Sequence, residues 1–375
     1  SPLAPAGDPG HPSSCCAATM MFRVFMMLAV VRAAQGFRVA RLASFRHSAL
    51  RAATTTETFT SEADNDFEGF STKVAFMFPG QGAQFEGMGS EASEIPKAKE
   101  LYDIASEILG YDLLDKSING PKADLDTTAV SQPAIFVNSM AALEKLRAEK
   151  GDDAVAEATC ALGLSLGEYS ALCYAGALSF EDGVRLTKAR GEAMQAAADA
   201  TDTSMVSVIG LDSETVAKIC EKASETTGEP VQIANFLCPG NYAVSGTTKA
   251  CDEVEKIAKP EFEARMTVRL AVAGAFHTDF MAPAVDKLAA ALDTVEIVKP
   301  RIPVVSNVDA RAHSDPKVIK EILKKQVTSP VLWEESVKFV VGGDFEYGLE
   351  IGPSKVISGI VKRVDRSKDV TPIGI

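Results

Sequence analysis

The stretch that decides the fold reads Thr159-Cys160-Ala161-Leu162-Gly163-Leu164-Ser165-Leu166-Gly167-Glu168-Tyr169-Ser170-Ala171-Leu172-Cys173-Tyr174-Ala175. The apolar run 159–162 predicts a short buried strand, and 168–175 predicts a helix. Between them stands Gly-x-Ser-x-Gly. Five residues with three fixed positions recur by chance, so the weight comes from the setting: strand, sharp turn and helix expose a serine above a sheet. The flanking glycines allow a strained turn. The free N–H groups of the helix start favour developing negative charge beside Ser165.

The flanks suit the same architecture. Upstream, Lys73-Val74-Ala75-Phe76-Met77-Phe78 predicts a strand buried on both faces. It ends in the turn Pro79-Gly80-Gln81-Gly82-Ala83-Gln84, which leaves the Gln81 N–H above the sheet edge, where open α/β folds bind ligands. Phe136, Met140 and Leu143 recur at helical spacing after Gln132-Pro133, which predicts a helix starting at the proline. Ser179 and Asp182 make a capping-box-like start for a helix carrying Arg185, Lys188 and Arg190. Spacing alone puts Arg190 on a solvated face.

Residues 204–272 form a self-contained pattern. Strand-like 205–209, helical 213–224, strand-like 231–236 and 242–245 around the turn Cys238-Pro239-Gly240-Asn241, helical 249–258 and strand-like 266–272 give βαββαβ, the ferredoxin-like unit. The larger domain then resumes with the strand Ile302-Pro303-Val304-Val305 and closes with Phe345–Pro353 and a final helix. The predicted fold class is α/β. It has an α/β-hydrolase-like large subdomain with a parallel sheet (72–202 and 273–375) and an inserted ferredoxin-like small subdomain (203–272).

A chain of 375 residues, 46% hydrophobic and 24% charged, holds one large or two smaller globular domains with a real core. A net charge of −13 without a basic stripe argues against nucleic acid as a partner. The seven cysteines are too sparse for a disulfide framework and show no C-x-x-C spacing, so they read as structural thiols with no metal site.

The first 71 residues have a different character. Residues 1–19, rich in Pro, Ser and Ala, are expected to be upstream read-through. From Met20 the chain shows a basic start, an apolar core at 24–31 and a small-residue end at Gly36, as in a signal peptide too short to span a bilayer. Residues 37–51 carry Arg38, Arg41, Arg46 and Arg51 and no acid, the composition of a transit peptide. Together these resemble the bipartite leaders of proteins bound for algal plastids of secondary origin. A mitochondrial address or simple secretion is the alternative. Residues 54–71 read as a disordered linker within the 37–71 leader segment. Without the leader, 32 basic residues face 50 acidic ones from 57 onward, a net −18.

A serine nucleophile needs a base within reach. Beyond the leader only His277 and His313 are present. His313, among Asp309, Arg311, Ser314 and Asp315, reads as part of a polar surface loop. His277, in Ala273-Gly274-Ala275-Phe276-His277-Thr278, follows a strand and precedes a helix, which sets it at the sheet edge. It titrates in the right range to take and return a proton. A structural histidine at a domain junction is the alternative, and no third acid declares itself.

Five segments taken together resemble the malonyl-CoA:acyl-carrier-protein transacylases: Phe78–Gly82, Gly163–Ser170, Arg190–Gln195, Gly274–His277 and Val304–Asp309. The resemblance runs from about Lys73 to the C-terminus, in the family's order. It implies that Ser165 carries the malonyl group as an ester and that His277 is the general base. It implies that the backbone carbonyl of Gln326 orients His277, which accounts for the missing acid, and that the N–H groups of Gln81 and Leu166 form the oxyanion hole. It gives Arg190 the substrate carboxylate, in place of a solvated face. Phe276, Asn235 and Gln132 then belong to the substrate cleft, Phe276 leaving no room for an α-methyl branch.

The implied reaction passes malonyl from malonyl-CoA through Ser165 to the phosphopantetheine thiol of acyl carrier protein, for fatty-acid synthesis. It needs no metal or redox cofactor, no nucleic acid and no stable membrane insertion, and it suits a monomer. Lys188, Lys324 and Lys325 are candidate docks for the acidic carrier. Leu164 replaces the family's usual His and is expected to alter packing alone, whereas Asn241, in place of Gln, leaves one polar contact open. A serine esterase or thioesterase using the same pair, an acyltransferase cut from a polyketide synthase and a non-catalytic carrier-binding module are the rival readings.

Overall fold

The computed structural model describes residues 67–375. The read-through, signal and transit readings of 1–36 and 37–66 therefore lie outside the described residues. Residues 67–71, which the sequence assigns to a disordered linker, are packed instead. The Phe70 ring lies 5.5 Å from that of Phe339, and Ser71 Oγ and Thr72 N–H each donate to Asp344 at 2.6 Å. Two aromatics in an otherwise polar stretch supply the apolar surface that fastens it.

The large subdomain is built on five parallel strands in the order β7-β2-β1-β8-β9. They are β1 Val74–Phe78, β2 Cys160–Gly163, β7 Val304–Val305, β8 Tyr347–Ile351 and β9 Val370–Ile373. All five residues of β1 are buried, as a strand covered on both faces requires. The register pairs Met77 with Leu162 and Phe78 with Gly163. The turns after β1 and β2 consequently leave the same edge of the sheet side by side.

The small subdomain is an antiparallel sheet in the order β4-β5-β3-β6, from β3 Thr203–Ile209, β4 Val231–Cys238, β5 Asn241–Thr247 and β6 Met266–Arg269. With the helices Ser213–Thr227 and Thr248–Phe262 this is the expected βαββαβ unit. It closes its own core around Val206, Val208, Ile219, Val244 and Val254. Its β4 is joined to the segment after the helix Pro316–Gln326: Phe236 N–H donates to Val331 O at 2.9 Å, and Val331 N–H to Ala234 O at 2.8 Å.

Several expectations need correction. The helix read as starting at Pro133 runs Thr128–Lys150, with Pro133 in its second turn. Every residue from Ser131 to Leu143 is buried, so packing on all sides overrides the local signal. The strand of 302–305 shortens to two residues, and that of 266–272 ends at Arg269 in the small sheet. The chain ends on β9 rather than on the helix Val356–Val364; Pro372 masks this strand, and only an edge tolerates it. His313 is not on the surface. It is 4% exposed, and its Nε2 meets Asp309 at 3.0 Å.

Candidate active site

Glycine makes the turn at Ser165 possible. A Cβ on Gly163 would lie 1.9 Å from the carbonyl carbon of Gly167, and one on Gly167 would lie 2.1 Å from Phe78 O. Ser165 itself takes φ +53°, a left-handed conformation that costs a non-glycine residue on the order of 1–3 kcal/mol. Asn307, two residues past β7, holds the strained turn from both sides. Its Oδ1 accepts the Ser165 N–H at 2.5 Å, and its Nδ2 donates to Gly163 O at 2.7 Å.

His277 reaches this turn from the crossing between subdomains. Its Nδ1 lies 2.9 Å from the backbone carbonyl of Gln326, which only accepts, so Nδ1 carries the hydrogen. Nε2 is left as an acceptor, 2.9 Å from Ser165 Oγ, and the serine hydroxyl donates to it. Burial above all, and then the Arg190 charge, lowers the imidazole pKa to about 4. The ring is therefore neutral at neutral pH and ready to accept a proton.

Arg190 is not on a solvated face. It is 1% exposed, and its Nη2 donates to Ser165 Oγ at 3.1 Å and to Gln326 Oε1 at 2.9 Å. The guanidinium lies 5.5 Å from the Tyr169 ring centroid. Its hydrogen-bond partners among the described residues are thus a hydroxyl and an amide, not a carboxylate, and its buried Nε has no hydrogen-bond partner. Buried charges are normally paired, so the site presents a dry cation with no carboxylate in direct contact, beside a serine–histidine pair.

Beneath these groups lies a polar layer that spacing alone does not reveal. Glu168, 3% exposed, accepts through Oε2 from Gln326 Nε2 at 2.6 Å and from Asn307 N–H at 3.1 Å. Burial pushes its pKa up to about 7. Gln326 Nε2 also donates to Ser165 O at 3.0 Å. Glu168 and Asn307 stood inside quoted motifs, but nothing in their spacing announces that they meet.

The remaining predicted residues are distributed as follows. Gln81 and Leu166 stand in the paired turns after β1 and β2, and their N–H groups make no hydrogen bond among the described residues. The Gln81 side chain donates to Thr128 Oγ1 at 3.2 Å. Phe276 is buried in the main core beside His277. Gln132 makes no hydrogen bond to the serine–histidine pair among the described residues; its Nε2 lies 3.5 Å from Met194 Sδ, one turn past Arg190. Asn235 lies in β4 opposite Val331, its buried Oδ1 without a partner. Leu164 packs in an apolar cluster with Cys238, Val331 and Trp333, where the imidazole usual at this place would need polar partners. Asn241 Oδ1 accepts from Ser207 Oγ at 2.6 Å, so it serves the small sheet. Lys188 Nζ reaches Leu109 O at 3.4 Å and Lys324 pairs with Glu321 at 2.9 Å.

A strained serine, a neutral imidazole aimed at its hydroxyl and a buried cation alongside define an acyltransferase of the α/β class. The acyl transferase domain family matches residues 75–374. The malonyl CoA-acyl carrier protein transacylase of Bacillus subtilis is 42% identical over 296 residues, covering 79% of this chain and 91% of that protein. The mitochondrial malonyl-CoA-acyl carrier protein transacylase of Mus musculus is 38% identical, covering 77% of this chain and 78% of that one. A solved structure of a type II polyketide-synthase acyl-carrier protein in complex with its malonyl-transacylase superposes with a TM-score of 0.76 at 34% identity, over 80% of this chain and 96% of that one. The chain belongs to the malonyl-CoA-acyl carrier protein transacylases.

Proposed function

We propose that this enzyme transfers malonyl from malonyl-CoA to the thiol of acyl carrier protein through an ester on Ser165, supplying fatty-acid synthesis. His277 Nε2 takes the hydroxyl proton as Ser165 Oγ attacks the thioester carbonyl. The oxyanion forms against the N–H groups of Gln81 and Leu166, each such donor contributing roughly 2.7–4 kcal/mol. The C–S bond breaks, and the imidazolium returns its proton to the leaving CoA thiolate. The carrier's thiol then gives its proton to His277 and attacks the ester carbonyl; the C–O bond to Ser165 breaks, and the imidazolium returns the proton to Ser165 Oγ. Arg190 receives the free carboxylate of the malonyl group throughout.

The observation that carries this reading is the Arg190 guanidinium with no carboxylate in direct contact, 3.1 Å from the nucleophile and 1% exposed. A planar fork in a dry site matches a carboxylate bidentately, which a lysine does not. An esterase for neutral acyl groups has no use for it. Lys188, Lys324 and Lys325 remain the proposed dock for the carrier, and the protein works as a monomer. The leader composition supports delivery to a plastid; a reporter fused behind residues 1–71 reaches the plastid on this reading and the mitochondrion on its rival.

The test mixes the protein with malonyl-CoA or acetyl-CoA and acyl carrier protein. Malonyl-carrier accumulates in the wild type, and Arg190→Ala raises acetyl transfer relative to malonyl. Free malonate without carrier product would replace this reading with a hydrolase.

A further inference from the structure

Gln326 is fixed at three points that involve different parts of it. Its backbone carbonyl orients His277. Its side-chain Oε1 accepts from Arg190 Nη2 at 2.9 Å, and its Nε2 donates to Glu168 Oε2 at 2.6 Å and to Ser165 O at 3.0 Å. An amide has one donating and one accepting end, and the buried carboxyl of Glu168 dictates which is which. Turned over, the amide would set its NH2 against the guanidinium and its oxygen against Glu168 and Ser165 O, a mismatch at both ends. Glu168 is held in turn by the Asn307 N–H, the residue that also clamps Ser165.

We propose that Glu168 is a positioning residue for substrate selection: through the Gln326 amide it fixes the Arg190 guanidinium where the acyl carboxylate binds. Glu168, Gln326 and Arg190 are 3%, 1% and 1% exposed, so these bonds form in a dry setting where they are strong and directional. Glu168 makes no hydrogen bond to Ser165 Oγ or His277. The tether on His277 is the Gln326 backbone, which survives loss of the side-chain relay. The relay therefore governs which acyl group is accepted, and the base keeps its place. This inference rests on Arg190 as the carboxylate partner.

The experiment measures kcat/KM for loading of the protein by malonyl-CoA and by acetyl-CoA, in the wild type, Arg190→Ala, Glu168→Met, Glu168→Gln and Gln326→Leu. Methionine keeps the length of Glu168 and removes the acceptor; glutamine retains a carbonyl that the amide can reach. The malonyl-to-acetyl ratio falls roughly tenfold or more in Glu168→Met, the scale of one hydrogen bond to a charged group. The loss appears in KM for malonyl-CoA, acetyl loading persists, and Glu168→Gln restores most of the ratio.

Gln326→Leu shows the same fall, and combining it with Glu168→Met adds little, because both act on one relay. An unchanged ratio in Glu168→Met, or equal losses for both substrates, overturns the proposal. Should Glu168→Met not fold, an unchanged ratio in Gln326→Leu overturns it instead. A wild type that does not load malonyl, or an Arg190→Ala ratio equal to wild type, refutes the underlying function and is a distinct result.

Discussion

The two histidine-bearing loops, 273–278 and 309–315, differ in what each ring faces. Both rings are buried, at 3% and 4% exposure. His277 meets a backbone carbonyl through Nδ1 and a serine hydroxyl through Nε2. His313 meets the Asp309 carboxylate four residues back. A histidine–carboxylate contact is often taken as the mark of a catalytic base, yet here it belongs to the scaffold. The base has no acid behind it. The neutral carbonyl fixes its tautomer and raises its proton affinity only in part, and burial, followed by the Arg190 charge, outweighs that and lowers it.

The contrast makes predictions of decreasing size. His277→Ala lowers kcat for malonyl transfer by roughly a thousandfold, the middle of what positioned acid–base catalysis contributes; steady-state rates on malonyl-CoA check it. Asn307→Ala, which releases the Ser165 turn, costs roughly tenfold or more in kcat, from a lost buried hydrogen bond of about 1–3 kcal/mol. His313→Leu keeps kcat near the wild-type value but lowers folding stability by about 1–3 kcal/mol, because Asp309 is left buried without its partner. Denaturant melts and rates measured on the same sample separate the two histidines.

The smallest effect is in pH dependence. With its pKa lowered to about 4, His277 stays neutral across the ordinary histidine range near 6.5. The kcat/KM profile is therefore flat through that range and falls only as pH approaches the lower value. A fall centred near 6.5 would mean an imidazole better solvated than this one. Stability follows the same group: the His277 contribution is present above 6.5 and is lost as pH falls toward about 4. Glu168, raised to about 7, has the opposite sign, its contribution being present at low pH and lost as pH rises through 7.

The parts legible in the sequence were those encoded locally. The Gly163–Gly167 turn, the apolar β1 and the Ser179 cap each depend on neighbours in the chain, and Ser179 Oγ does accept the Asp182 N–H at 3.1 Å. The βαββαβ insertion was equally plain from the alternation of its pattern. What stayed hidden depends on distant partners. Arg190 reads as solvated because helical spacing cannot show that Gln326, 136 residues away, covers it. His313 reads as exposed because its polar neighbours Asp309 and Ser314 are themselves buried. The Glu168–Gln326–Asn307 layer joins three segments that meet only after the parallel sheet has formed.

The most direct test of the account follows the nucleophile itself. The protein is incubated with malonyl-CoA and its intact mass and peptide map are recorded. The account predicts one added malonyl group on the peptide containing Ser165, absent in Ser165→Ala and slow to appear in His277→Ala. An adduct that survives Ser165→Ala, or no adduct in the wild type while malonyl-carrier still forms, would contradict it.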